Sequence, residues 1–164
     1  MPPTNNGRGR PQQRHEAQVS WHRDGVAFLD HRYSRAHEWA FDGGARIQAS
    51  AAPAHVPVPY SVPEAVDPEE AFVASVSSCH MLWFLSIAAK RGFVIDRYVD
   101  AAHGIIEANQ AGQRAFTRVT LAPSVEFSGG RIPTQAELDA MHREAHNECF
   151  IANSLRCDVI VVAA

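Results

Sequence analysis

Three cysteines, Cys79, Cys149 and Cys157, occur in the sequence, and two of them stand where a thiol can do chemistry. Cys79 lies in Ser75-Val76-Ser77-Ser78-Cys79-His80, a cluster of small polar groups inside the apolar run AFVASVSSCHMLWFLSIAA. Polar groups buried in such a run must be hydrogen-bonded or must serve a site. Cys149 comes just before Phe150-Ile151-Ala152-Asn153-Ser154, where a helical pattern breaks. If two such thiols meet in the fold, one can attack a peroxide and become a sulfenic acid, and the other can condense with it to a disulfide. The attacking sulfur must be a thiolate, and a mid-helix position gives Cys79 no help from a helix N-terminus. A neighbouring cation would have to lower its pKa, and arginine held by a carboxylate is the natural candidate. Of 15 cationic side chains, all but Lys90 are arginine.

Plainer readings stand beside this one. Free cysteine is among the most buried residue types and packs as a small hydrophobe, so Cys79 can be core. Ser77 and Ser78 can bond back to carbonyls one turn earlier. A metal is a further alternative: His142, His146 and Cys149 share one helical face, and His80 or Cys79 could complete a tetrahedral zinc set. The run His142-Arg143-Glu144-Ala145-His146 is not HExxH, because Arg143 stands where the glutamate belongs, and it is not HxxEH. Cys157 alternates with Leu155, Val159 and Val161 and reads as a core-facing strand residue. Trp83 and Phe84 beside Cys79 read as packing or as the wall of an apolar access pocket. No GxGxxG, P-loop or GxSxG occurs.

The element that must carry Cys79 is a helix. Asp67-Pro68-Glu69-Glu70 places an N-cap, a proline at the first helical position and a glutamate at N3. Glu70 is explained by that cap, whereas Glu69 at N2 is not needed for it and reads as a residue that could serve a site. The helix is expected to run to Lys90-Arg91, with Gly92 as a left-handed cap. Apolar on nearly every face, it is expected to be buried all round. Thr134-Gln135-Ala136-Glu137 is a second capping box, opening a helix through Leu138, Met141 and Ala145 to about Glu148. Strands are expected around Val19 and Trp21, in a hairpin turning at Asp24-Gly25, then at His37–Phe41 and, weakly, at Arg46–Ala49. Residues 51–63 hold four prolines and read as an extended connector. Strand regions follow at 94–107 and 116–127, with a turn at Asn109–Gly112, and a closing strand at 155–162. Val119, Leu121, Val125 and Phe127 keep one parity. Grouped strands around a buried helix make the fold class α+β.

Composition sets the outer bounds. The chain has 164 residues, 46% hydrophobic and 20% charged, which fits one ordinary globular domain. A disordered arm is expected over residues 1–17 and a single domain over 18–164. The net charge of −3 lacks the broad basic footprint of a nucleic-acid binder. No run of about 18 uninterrupted apolar residues exists, so no membrane span is expected. The N-terminal residues have no apolar core behind their charges, unlike a secretory signal. Three sparse cysteines do not make a disulfide scaffold. A cytoplasmic protein with reduced thiols is expected.

Asp67-Pro68-Glu69-Glu70, followed by Ser77-Ser78-Cys79-His80-Met81 and Arg91-Gly92-Phe93, resembles the OsmC/Ohr family of osmotically inducible and organic hydroperoxide resistance proteins. Cys149-Phe150-Ile151-Ala152-Asn153-Ser154, leading into a final strand, is similar to the family's second cysteine segment. The likeness covers residues 18–164. It implies antiparallel sheets around a long buried central helix and an intertwined homodimer with active sites at its interface. It also implies reduction of organic hydroperoxides by cysteine chemistry in oxidative or osmotic stress defence. By position, Cys79 would be peroxidatic and Cys149 resolving, and Glu69 would match the glutamate that orients an active-site arginine. Arg35 stands roughly where the Ohr-like branch carries that arginine, with Arg46 second choice. Electrons would come from an external dithiol or lipoyl-type reductant, with no bound cofactor and no metal. A different reading keeps the fold and makes the protein a binder of an apolar small ligand with idle thiols.

Overall fold

The computed structural model describes residues 12–162, so most of the arm expected at 1–17 lies outside the described residues. The chain forms two compact units, Met1–Pro68 and Glu69–Ala164.

In the first unit β1 (Ala17–Ser20), β2 (His37–Phe41) and β3 (Arg46–Ala49) form an antiparallel sheet in that order. β2 and β3 fall at the expected residues. The expected hairpin at Asp24-Gly25 does not form. Both residues take positive φ (51° and 78°), but the turn lies in the 21–36 loop, and β1 pairs instead with β2. Trp21, Phe28 and Tyr33 from that loop associate with one another, Phe28 stacking on Tyr33 at 4.6 Å. The proline-rich connector is pinned to the sheet by Ser50, whose N–H donates to Val66 and whose Oγ accepts from Val62.

The second unit is built on α1 (Pro68–Lys90). Its C-terminus closes as the glycine cap requires. Gly92 has φ 79°, Gly92 N–H donates to Ala89, and Phe93 N–H donates to Ala88. β4 (Val94–Asp100) pairs antiparallel with β7 (Pro123–Ser128). β5 (His103–Ala108) pairs antiparallel with β6 (Arg114–Leu121), and β8 (Asp158–Val161) joins β6 in parallel. That last pair is the exception to the antiparallel expectation, because β8 reaches the sheet through helices and not through a hairpin. Two strand regions expected as continuous are each divided, at 101–102 and at Ala122. The parity of residues 119–127 carries across the break while the hydrogen-bonding partner changes.

α2 (Gln135–Glu148) opens on the expected capping box. Thr134 Oγ1 accepts from Glu137 N–H, and Glu137 accepts from Thr134 N–H. A one-turn helix, α3 (Phe150–Asn153), follows. Two apolar clusters meet α1. Phe84, Ile87 and Ala88 join Phe93, Met141 and Ala145 in one, and Val76 joins Val119 and Leu121 in the other, with Cys157 packed against it.

α1 is not buried all round. Val76, His80, Phe84, Ile87 and Ala88 form its buried stripe, while Ala74, Ser78, Leu82 and Ala89 lie along an exposed one, Leu82 at 63%. One chain covers only one side of this helix. With a mean hydropathy of 1.6 over an 18-residue window, α1 is by length and composition also apolar enough to cross a membrane, although it contains no uninterrupted apolar run of that length. Scattered serines hid it from a search for uninterrupted apolar residues. Its buried face here packs on strands and on α2, as a core helix does.

Candidate active site

Cys79 sits at the middle of α1, half-buried, and Cys149 sits fully buried at the junction of α2 and α3. The long-range fold brings them near one another, close enough for the Cys79 thiol to act on the Cys149 thiol. Local structure explains the placement of Cys149. It ends α2 in an extended conformation (φ −70°, ψ 109°) and serves as N-cap of α3, its sulfur accepting from Ala152 N–H at 3.3 Å. Burial first, then the Cys79 thiol, pushes the Cys149 thiol up to about 11. At neutral pH Cys149 therefore stays protonated, and Cys79 is the sulfur that solvent and solutes reach.

Apolar walls adjoin the pair. Trp83, one turn beyond Cys79, meets Phe150, the residue after Cys149, edge to face at 5.7 Å. Ser77 and Ser78 divide in role. Ser78 bonds back to the Ser75 carbonyl, whereas Ser77 donates to Asp100 Oδ2 at 2.5 Å, and Asp100 Oδ1 accepts from Ala122 N–H. Asp100 thus ties α1 to the break between β6 and β7. It carried no sequence signal because its partner lies 23 residues away.

Glu69 lies in the first turn of α1, ten residues before Cys79. At 1.5 Å per residue that is about 15 Å along the axis, beyond the reach of a glutamate side chain, so one chain does not bring Glu69 to its own Cys79. Arg35 belongs to the first unit, in the loop before β2. Its Nη1 donates to the His31 and Tyr33 carbonyls, and its guanidinium lies 3.7 Å over the Tyr33 ring. It lines a cavity of about 470 Å³ with Val19, Trp21, Phe28, Tyr33 and His37. Arg46 pairs with Glu38 on the exposed sheet and lines a different cavity, with Glu16, Gln18, Phe41 and Asp42.

The histidines arrange themselves differently from the zinc alternative. His142 does not join His146 and Cys149 as a ligand set; its Nδ1 stands 3.0 Å from His80 Nε2. Among the described residues no group of three or more His, Cys, Asp or Glu side chains is placed to hold a metal. The pairing was legible only in part, since His80 continues the buried spacing Val76–His80–Phe84.

The α+β unit thus carries a half-exposed thiol on its central apolar helix and a buried one nearby. The family model described as OsmC-like protein matches residues 61–163, and the chain belongs to that family. An OsmC-like protein of unknown function from Vibrio cholerae is 52% identical, with a TM-score of 0.92 over 93% of this chain and 100% of that one. An organic hydroperoxide resistance protein OsmC from Legionella pneumophila is 16% identical, with a TM-score of 0.67 over 94% and 99%. The Bacillus subtilis organic hydroperoxide resistance protein OhrB is also 16% identical, with a TM-score of 0.63 over 93% and 98%. The last two are likenesses of fold. No curated protein sequence matches the chain.

Proposed function

We propose that the protein is a thiol peroxidase for organic hydroperoxides, acting in the cytoplasm in defence against oxidative or osmotic stress. The observation that carries this reading is the nearness of a half-exposed Cys79 to a buried, protonated Cys149. The Cys79 thiolate attacks the terminal oxygen of ROOH. The O–O bond breaks, an S–O bond forms, and the alkoxide takes a proton and leaves as ROH. Cys149 then attacks the Cys79 sulfenic acid, the disulfide forms and water leaves. An external dithiol, of lipoyl type, exchanges with the disulfide, becoming oxidised and returning both cysteines to thiols. No bound cofactor takes part. Trp83 and Phe150 favour alkyl hydroperoxides over hydrogen peroxide at this position.

Arg35 is the cation that stabilises the thiolate and the leaving alkoxide, and Glu69 orients it. Support for Arg35 over Arg46 comes from its aromatic cavity, where a guanidinium is poorly hydrated. The protein works as a homodimer. The exposed stripe of α1 and the exposed Phe150 (59%) support a second copy as cover. Cys79→Ser is expected to abolish consumption of an alkyl hydroperoxide in the presence of a dithiol, and unchanged turnover would end this assignment. Cys149→Ser is expected to let the Cys79 sulfenic acid accumulate and over-oxidise, whereas Cys157→Ser leaves turnover unchanged.

The 470 Å³ cavity lined by Val19, Trp21, Phe28 and Tyr33 supports a second reading, a binding protein for an apolar small ligand. A tightly co-purifying ligand without peroxide consumption would favour it.

A further inference from the structure

A buried polar contact between the two cysteine-bearing helices is a histidine pair, whereas the Arg91–Glu144 ion pair at the end of α1 lies on the surface. His80 Nε2 and His142 Nδ1 stand 3.0 Å apart, with the rings 8° from parallel, and His142 also stacks on Phe84 at 4.3 Å. Only 1% of His80 and 4% of His142 is exposed. His80 follows Cys79 on α1, and His142 lies two turns before Cys149 on α2. We propose that this hydrogen bond positions the thiol pair, fixing α2 against α1 so that Cys149 stays opposite Cys79. The inference rests on the reading of the two cysteines as a redox pair and names the residues that align it.

Phe84, Ile87 and Ala88 meet Met141 and Ala145, but such contacts are non-directional and tolerate small slides of one helix on another. A hydrogen bond weakens steeply with angle, so it sets a register. With both rings neutral, one of the two facing nitrogens is the donor and the other the acceptor, whichever tautomers are present. The outer nitrogens, His80 Nδ1 and His142 Nε2, are buried without a hydrogen-bond partner among the described residues. An apolar pair of similar shape would fill the space without leaving those two atoms orphaned. The histidines therefore cost stability at the place where two sulfurs have to be aligned, the pattern expected of a buried polar contact kept for register. Burial holds both rings neutral at physiological pH, each with its pKa pulled down to about 4. The groups facing the pair are His146 and Asp139 on α2 and Asp100 on β4.

The test is the equilibrium of the full-length protein with glutathione redox buffers at pH 7, reading the Cys79–Cys149 disulfide by thiol trapping and peptide mapping. Two protein thiols and one oxidised glutathione give the disulfide and two reduced glutathiones, so the readout needs no peroxide. His142→Leu is expected to lower this equilibrium constant about tenfold, the order of one net hydrogen bond. His142→Asn keeps a hydrogen-bonding atom at the Nδ1 position, and His80→Gln keeps one at Nε2. Both are expected to stay within about threefold of the unsubstituted protein, a rescue that loss of ring packing alone would not give. Thermal unfolding checks each variant, and His80→Met replaces His142→Leu if the latter does not fold. An equilibrium unchanged by the apolar variants, or lowered equally by Asn and Gln, overturns the inference. So does failure of the unsubstituted protein to form the Cys79–Cys149 bond. A protein that forms the bond with this histidine dependence yet consumes no peroxide keeps the inference and overturns only the peroxidase reading.

Discussion

Lowering the pH from 7 to 4.5 asks His80 to take up a proton where the fold resists it. Burial first, then the neighbouring His142 and His146, lowers its pKa from 6.5 to about 4. The unfolded chain binds this proton below pH 6.5, whereas the folded chain does not until about pH 4. The stability that neutral His80 maintains is thus complete above pH 6.5 and drains away as pH falls from there toward 4. A gap of about 2.5 pH units at ~1.4 kcal/mol each amounts to ~3.5 kcal/mol, of which ~2 kcal/mol is lost between pH 7 and 4.5. His142 moves in the same direction by burial, opposed by Asp139 and Asp100. The two rings share one hydrogen bond, so their contributions are not summed. Glu137, lowered by its bonds to Thr134 and then Arg131, loses its contribution only as pH falls below the ordinary carboxylate range, outside this window. The assay is urea unfolding at fixed protein concentration from pH 7 to 4.5. His80→Gln keeps the hydrogen bond but cannot titrate, and its stability should fall by ~2 kcal/mol less than that of the unsubstituted protein. Equal losses in the two proteins would refute the reasoning.

Other perturbations probe the frame around the thiols. Thr134→Ala removes the side-chain half of the α2 capping box, in which Thr134 Oγ1 accepts from Glu137 N–H, and should destabilise the protein by about 1 kcal/mol in chemical denaturation. Gly104→Ala would put a methyl group 2.5 Å from Phe116 Cε1 and 2.9 Å from Val73 Cγ2, disturbing the Phe72–Phe116 stack. A loss of about 1–3 kcal/mol is expected by the same assay, and an unchanged midpoint would mean that the ring moves aside freely. Leu82→Glu places a charge on the exposed stripe of α1; the proposed homodimer and peroxidase activity predict a shift in sedimentation toward monomer and a parallel fall in hydroperoxide turnover.

Local signals in the sequence were strong enough to place the site's carriers. The Pro68 start and Gly92 cap bound α1, the Thr134–Glu137 box opens α2, and both cysteines fall where those patterns predict. Pairing information was weaker. The parity of residues 119–127 is continuous, so nothing local marks Ala122 as the point where the chain changes sheets. The uniform apolarity of α1 concealed which face its own chain would bury, because a helix covered by two chains and one covered by a single chain carry the same pattern. His80 and His142, 62 residues apart, look like solvated or metal-binding histidines until their helices are packed. Asp100 was invisible for the same reason. Contacts between distant segments are set by packing, and only local ones are written in spacing.

The central claim is that Cys79 and Cys149 form one redox unit, and mass spectrometry tests it most directly. The purified, reduced protein is treated with one equivalent of an alkyl hydroperoxide, digested without reductant and mapped. A loss of two hydrogens, located on a peptide pair joining Cys79 to Cys149 with Cys157 still free, is the predicted result. Three thiols that remain reduced under excess hydroperoxide would contradict it, leaving Cys79 as a packing residue in an OsmC fold.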